Sequence, residues 1–236
     1  MKKVLVLGIL VIPFGASAQN LQLHYDFGEG RKYFTATHEM FKADSLGSTF
    51  WFIDFDFNFP GSPRSMSAAY WEISREFYIP GLKKIHPFEQ LGFHFEYNDG
   101  FTAFRDTGNN ISAASYNSVF LTGFGFPVNI GNFSLTTQLL LRMPRDMHSP
   151  GFQLTLVWFQ YILKEKVLLT GYMDFWSQNK ILDPSRQELA FQSEPQFWFM
   201  IIPNIAVGSE IEISRNFPVG PNEWKFMPTL ACRWEF

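Results

Sequence analysis

From residue 19 onward the chain repeats one signature: runs in which aromatic or aliphatic side chains alternate with polar ones, separated by Gly, Pro, Asn and Asp. A period of two puts successive side chains on opposite faces of an extended backbone. In the run 49–59, Trp51, Ile53, Phe55, Phe57 and Phe59 occupy one face while the other ends in Asp54, Asp56 and Asn58. In 89–98, Leu91, Phe93, Phe95 and Tyr97 alternate with Gln90, His94, Glu96 and Asn98, and Ile205, Val207, Ile211 and Ile213 oppose Glu210 and Glu212. The same template predicts about twelve strands, over 21–27, 33–42, 49–59, 67–79, 89–98, 118–128, 133–142, 151–162, 167–177, 188–201, 205–215 and 225–236.

The connections alternate in kind. Those at 99–117, 143–150, 177–187 and 216–224 are long or polar, and those at 43–48, 129–132, 163–166 and 202–204 are short. Short turns on one side and long loops on the other are the layout of a membrane barrel with both termini at the short-turn end. The connection 80–88 is long although it falls on the short-turn side. Neither an internal repeat nor a linker interrupts the series, so 19–236 reads as a single all-β domain, an antiparallel transmembrane β-barrel.

At the amino terminus Lys2 and Lys3 precede an apolar run, 4–14, and then small residues ending Ala16-Ser17-Ala18. That run is too short for a membrane-spanning helix, and its flanks are those of a cleaved secretory signal peptide, 1–18, with cleavage before Gln19. Further on no stretch is apolar long enough to span as a helix; 197–207 comes nearest and is cut by Pro203 and Asn204. With 18% aromatic residues, 28 of them Phe, and a mean hydropathy of -0.06, the chain needs a large apolar surface on one side of its strands only. The net charge of -3 and the lack of a basic cluster exclude a nucleic-acid polymer as partner. The lone Cys232 excludes an internal disulfide framework and reads as a small packing residue.

Period alone does not say whether the apolar face points inward, as in a secreted or periplasmic barrel or sandwich, or outward onto lipid. The final run favours lipid: Phe226, Pro228, Leu230, Cys232 and Trp234 share a face with Phe236. A closing aromatic in register with an apolar face resembles the signal by which the outer-membrane assembly machinery recognises its clients. Trp51, Tyr97, Tyr161 and Trp234 lie near strand ends, where they would form interfacial girdles or equally be core aromatics. The expected setting is therefore the bacterial outer membrane, with lipid and the assembly machinery as partners and a monomer as the working unit.

The opposite face then lines a lumen. It carries Phe50, Phe52, Asp54 and Asp56; Tyr70, Glu72, Glu76 and Tyr78; His94 and Glu96; Tyr172, Asp174 and Trp176; Trp198; Glu210 and Glu212. Arg142 and Arg233 are expected to pair with those acids across the pore. A barrel of this strand number is narrow and largely filled by side chains, which argues against a general porin. An acidic, aromatic lumen passes neutral or cationic solutes rather than anions. Arg75 and His38 fall on the lipid face, which calls for a position near an interface or for a bulge that shifts register.

An enzyme embedded in the wall would need Ser and His held together at one depth. His24, His38, His86, His94 and His148 are scattered, His148-Ser149 falls in a loop, and no His/Cys group has metal-ligand spacing. The residues thus predict no catalytic site, no metal and no cofactor; a lipid-modifying or a structural, adhesive barrel is the alternative to a channel.

Several blocks carry a family resemblance: Leu23-His24-Tyr25-Asp26-Phe27, the strand from Thr35 to Phe41 with Glu39, the segment GSTFWFIDFD from Gly47, Tyr70-Trp71-Glu72-Ile73 and the closing Trp234-Glu235-Phe236. Together they resemble the Tsx-like nucleoside-specific channel-forming outer-membrane proteins, within a Bacteroidetes-type branch, over the whole mature chain. The resemblance implies a twelve-stranded barrel with a narrow pore, lined by aromatic and polar side chains, that admits nucleosides. Phe50, Phe52, Asp54, Asp56, Tyr70, Glu72, His94, Glu96, Tyr172, Asp174, Trp176, Trp198, Glu210, Glu212 and Arg233 are the candidate pore-lining residues.

Overall fold

The computed structural model describes residues 18–58, 61–62, 64–82, 84–85, 88–130, 133–145, 150–180, 183, 185–217 and 222–236. The segment assigned as a signal peptide, apart from Ala18, lies outside the described residues, as do His86 and His148. The strands are β1 (Ala18–Asp26), β2 (Tyr33–Asp44), β3 (Gly47–Phe57), β4 (Met66–Tyr78), β5 (Gly92–Arg105), β6 (Ile111–Ile130), β7 (Phe133–Pro144), β8 (Gly151–Ile162), β9 (Val167–Asn179), β10 (Gln187–Ser193), β11 (Gln196–Ile202), β12 (Ile205–Arg215) and β13 (Trp224–Glu235).

Each strand pairs antiparallel with its neighbours, and β13 pairs with both β12 and β1, which closes the sheet on itself. β10 and β11 are two halves of one strand, because both lie between β9 and β12. The result is a closed twelve-strand antiparallel barrel, as the alternation predicted. Closure satisfies the backbone groups within the sheet and leaves no open edge, the condition for a sheet to cross lipid.

The exposed side chains show which way the apolar face points. Leu21, Leu23 and Tyr25 on β1, Phe93 and Phe95 on β5, Leu139 and Leu141 on β7, Phe197 and Phe199 on β11, and Leu230 and Trp234 on β13 are all exposed. Their in-between neighbours Asn20, Gln22, His24 and Asp26, and likewise His94, Gln138, Trp198 and Arg233, are buried. Polar side chains inside and apolar ones outside invert a water-soluble protein and define a transmembrane barrel. Cys232 belongs to the outer face beside Leu23 and Val207, so it is not a packing residue.

The segment 99–117 is not a long loop: β5 and β6 continue as a hairpin, pairing from Gly100↔Tyr116 to Arg105↔Ile111. A bulge between Asn98 and Gly100 absorbs its irregular residues, and only 106–110 turns, with the Asp106 carboxylate accepting the N–H of Asn110 at 2.9 Å and of Gly108 at 2.8 Å. Those bonds, the one from Asn110 foremost, hold Asp106 below its ordinary carboxylate range. The run 188–201 is broken at Glu194-Pro195, where Pro195 has no N–H for the ladder. Tyr161 packs against the buried cluster of Leu168, Trp198, Ala206 and Ala231 rather than joining a girdle.

Arg75 needs no bulge: it donates to both oxygens of Asp44, at 2.7 and 2.9 Å, beside the tight turn that Asp44 and Gly47 form between β2 and β3. That places it at a barrel rim. His38 stays on the outer face, its ring 4.8 Å from Trp51 and 5.9 Å from Phe236. Arg233 does not reach across the lumen; it binds Glu235 two residues along, at 2.7 Å. Arg142 donates to Gln153 at 2.8 Å and lies over the Trp176 ring at 5.2 Å.

The connection from β4 to β5 opens with a short 3-10 turn, Pro80–Leu82, and is stitched by backbone bonds from Leu82 to Ile79, Ile85 to Leu82, Phe88 to Ile85 and Leu91 to Phe88. It is a compact cap at the short-turn end, which accounts for its length.

Candidate functional site: the barrel lumen

Strand alternation carries every candidate pore-lining residue to the inner face. Lateral contacts fix that assignment where the exposure of β3 is uniform along its length. Thr37 of β2 donates to Asp54, and Thr35 donates to Asp56 at 2.6 Å. Asp54 lies beside Tyr70 and Phe52 beside Glu72 across the β3–β4 ladder. Phe50, Phe52, Tyr70 and Tyr116 form a ring-to-ring ladder with centroids 6.0, 5.9 and 6.2 Å apart.

The inner face divides into two regions. Phe50, Phe52, Asp54, Asp56, Tyr70, Glu72, Glu96, Tyr172, Asp174, Glu210 and Glu212 are half-buried, within reach of water. His94, Trp176, Trp198 and Arg233 face inward but are buried by other side chains. Trp198 has no exposure at all: Leu168, Ala206 and Ala231 enclose it, His24 meets it edge-on at 5.8 Å, and the Arg233 guanidinium lies 5.8 Å from its ring. Its indole N–H donates to Gln196 at 2.9 Å. The residues packed around Trp198 come from β9, β11, β12, β13 and β1, and the half-buried ones come from β3, β4, β5, β9 and β12.

A polar network joins the strands around the lumen. Tyr70 donates to Glu72 at 2.6 Å, and the Asn98 amide donates to the same oxygen at 3.1 Å. Gln153 donates to Thr155 at 3.0 Å and Thr155 to Asp174 at 2.5 Å. Gln192 donates to Glu194 at 2.8 Å and Gln196 to Glu210 at 2.5 Å. His94 is held between Glu96, at 3.0 Å, and Glu76, at 3.9 Å. Gly125 leaves room for this last group, because a Cβ there would stand 2.4 Å from a Glu76 carboxylate oxygen.

Several inner residues escaped sequence reasoning. The β1 column of Asn20, Gln22, His24 and Asp26 alternates with exposed Leu21, Leu23 and Tyr25, a signal fully present in the sequence. Gln138, Gln153 and Thr155 were passed over because they are neither charged nor aromatic. Asn98 fell at an expected loop boundary, and Glu194 is hidden by the break beside it. Arg31 lies in the connection 27–32, yet it turns inward to bind Asp26 at 2.8 Å and Glu212 at 2.6 Å. Among the described residues no group of His, Cys, Asp and Glu is arranged to hold a metal ion.

An apolar outside, a polar inside and a closed antiparallel sheet define an outer-membrane-type β-barrel. Residues 18–236 match the family model described as Domain of unknown function (DUF5020), and the chain belongs to that family. Among solved structures, the KdgM porin superposes with a TM-score of 0.50 at 9% identity, over 94% of this chain and 99% of that one. The outer membrane protein Omp33 of Acinetobacter baumannii gives 0.42 at 12% identity, over 93% and 97%. No curated protein matches the sequence. The likeness to the KdgM porin is one of fold.

Proposed function

We propose that this chain is a bacterial outer-membrane channel for passive diffusion of small solutes, with nucleosides as the leading substrate class. The carrying observation is the half-buried wall of Phe50, Phe52, Tyr70, Asp54, Asp56 and Glu72, which sets flat apolar rings beside hydrogen-bonding carboxylates. A nucleoside needs both, a flat surface for its base and polar partners for its ribose. The resemblance to the Tsx-like family supports the same class. In this reading the solute binds weakly along that wall while the packed sector around Trp198 narrows the cross-section, and neither catalysis nor a cofactor takes part.

The reading includes export by the segment 1–18, assembly through β13 and its Phe236, and function as a monomer. The test is single-channel conductance of the refolded protein in a planar bilayer, titrated with nucleosides and, as controls, with sugars and amino acids. Small openings blocked by nucleosides alone support the reading, and Phe50→Ala should then weaken the block. Absence of openings retires it in favour of a plugged or enzymatic barrel.

A further inference from the structure

Among the described residues the inner face holds more carboxylates than cationic side chains. Six inward carboxylates, Asp54, Asp56, Glu72, Asp174, Glu194 and Glu210, take hydrogen bonds from neutral donors. These donors are the hydroxyls of Thr37, Thr35, Tyr70 and Thr155 and the amides of Gln192 and Gln196. Of the inward arginines, Arg31 binds Asp26 and Glu212, Arg233 binds Glu235, and Arg142 donates to Gln153 while its charge reaches Glu72 and Asp174. Neutral donors fix a carboxylate in place without cancelling its charge, so a proton or a mobile cation is left to do so.

A second observation points the same way. Asn98 is only 5% exposed, and its amide nitrogen is bound to Glu72. Its Oδ1 has no hydrogen-bond partner. A buried acceptor is rarely left unmet. Here it stands beside the Glu72 carboxylate, and two neighbouring acceptors suit a cation or its hydration water.

We propose that this lumen is cation-selective and that its selectivity comes from the carboxylates of β3, β4 and β12, chiefly Asp54, Asp56, Glu72 and Glu210, with Asn98 as a neutral co-ligand on β5. The proposal rests on the channel reading above and adds charge discrimination to it. A row of fixed carboxylates in a narrow, low-dielectric passage raises the local cation concentration and repels anions. The permeant class is thus neutral solutes and small inorganic or organic cations, while phosphorylated or carboxylated analogues of the same size are excluded.

The experiment is the reversal potential of the refolded full chain in a bilayer with a tenfold KCl gradient. The expected result is a potential on the potassium side, so that potassium permeates several-fold better than chloride, and a shift toward zero in the Asp54→Asn, Glu210→Gln double variant. Asn98→Ala should reduce the selectivity by a smaller step. Heat-modifiable migration in a gel shows that each variant is folded. Should a variant not fold, raising the salt on both sides of the unmodified protein serves instead, since screening shortens from about 10 Å at 0.1 M to about 3 Å at 1 M; selectivity must then fall. Openings with a potential at zero or on the chloride side overturn this proposal and leave the channel reading standing. So does selectivity that neither the double variant nor salt changes. Absence of openings in the unmodified protein overturns both.

Discussion

The guanidinium of Arg31 meets the carboxylate of Glu212 at 2.6 Å, joining the connection that follows β1 to β12, which is separated from β1 by the closing strand β13. The same side chain holds Asp26 at 2.8 Å, and Asp26 in turn accepts the N–H of Gly28 at 2.9 Å. Side-chain exposure is 23% for Arg31, 4% for Asp26 and 12% for Glu212, so two carboxylates would lose their cation in a sheltered place. Removing one partner of a buried pair costs about 3 kcal/mol. Arg31→Met should therefore lower the denaturant midpoint, followed by loss of the fast-migrating folded band. The double variant Arg31→Met, Glu212→Gln should recover part of the loss. A single variant within about 0.5 kcal/mol of the parent would show that the bridge does not hold the mouth.

Gly171 carries a second prediction. Its φ of +146° is strained for any side chain, and a Cβ there would stand 2.4 Å from the carbonyl oxygen of Glu194 and 2.8 Å from the Trp158 ring. It faces the point where Pro195 interrupts the strand, so backbone has no room to retreat. Gly171→Ala should destabilise the barrel by about 1–3 kcal/mol, whereas Gly81→Ala, with open space at its Cβ, should leave stability near the parent value. Equal thermal midpoints for the two variants in a gel-shift melt would contradict this account of the strand break.

Much of this architecture was legible in the sequence because the period of two carries both strand and face. Phe93, Phe95 and Tyr97 against His94 and Glu96 could be sorted by parity alone, and the structure keeps that sorting. Parity could not reveal the break at Glu194-Pro195, whose accommodation depends on Gly171 in another strand. It also missed the β5–β6 hairpin, because Asp99, Gly100, Asn109 and Asn110 look like loop while a single bulge lets pairing continue. For the lumen, parity finds who points inward but not who is reached by water. Trp198 and Phe52 are both inward aromatics; neighbours brought by closure seal the first and leave the second half-open.

Leu230 lies in the middle of β13 and is 66% exposed, beside Tyr25 of β1. If that exposure is to lipid, Leu230→Arg places a charge in hydrocarbon at about 2–4 kcal/mol. In an aqueous exterior the same change would be nearly neutral. The yield of folded protein on dilution from urea into liposomes should drop for Leu230→Arg and hold for Leu230→Phe. Equal yields would mean that this face is not in the bilayer.

The single cysteine reports on the same face without disturbing it. Cys232 follows Leu230 on the outer side, and its neighbours Leu23 and Val207 are exposed apolar residues. A lipid-facing position keeps charged, water-borne reagents away and admits those that partition into the bilayer. In intact proteoliposomes a charged, water-soluble maleimide should leave Cys232 unlabelled, while an apolar maleimide that partitions into lipid should reach it. Denaturation should make both reagents react fully. Labelling of the folded protein by the charged reagent would place Cys232 in water. That would move the apolar belt away from the end of β13, and with it the depth inferred for Trp234 and Phe236.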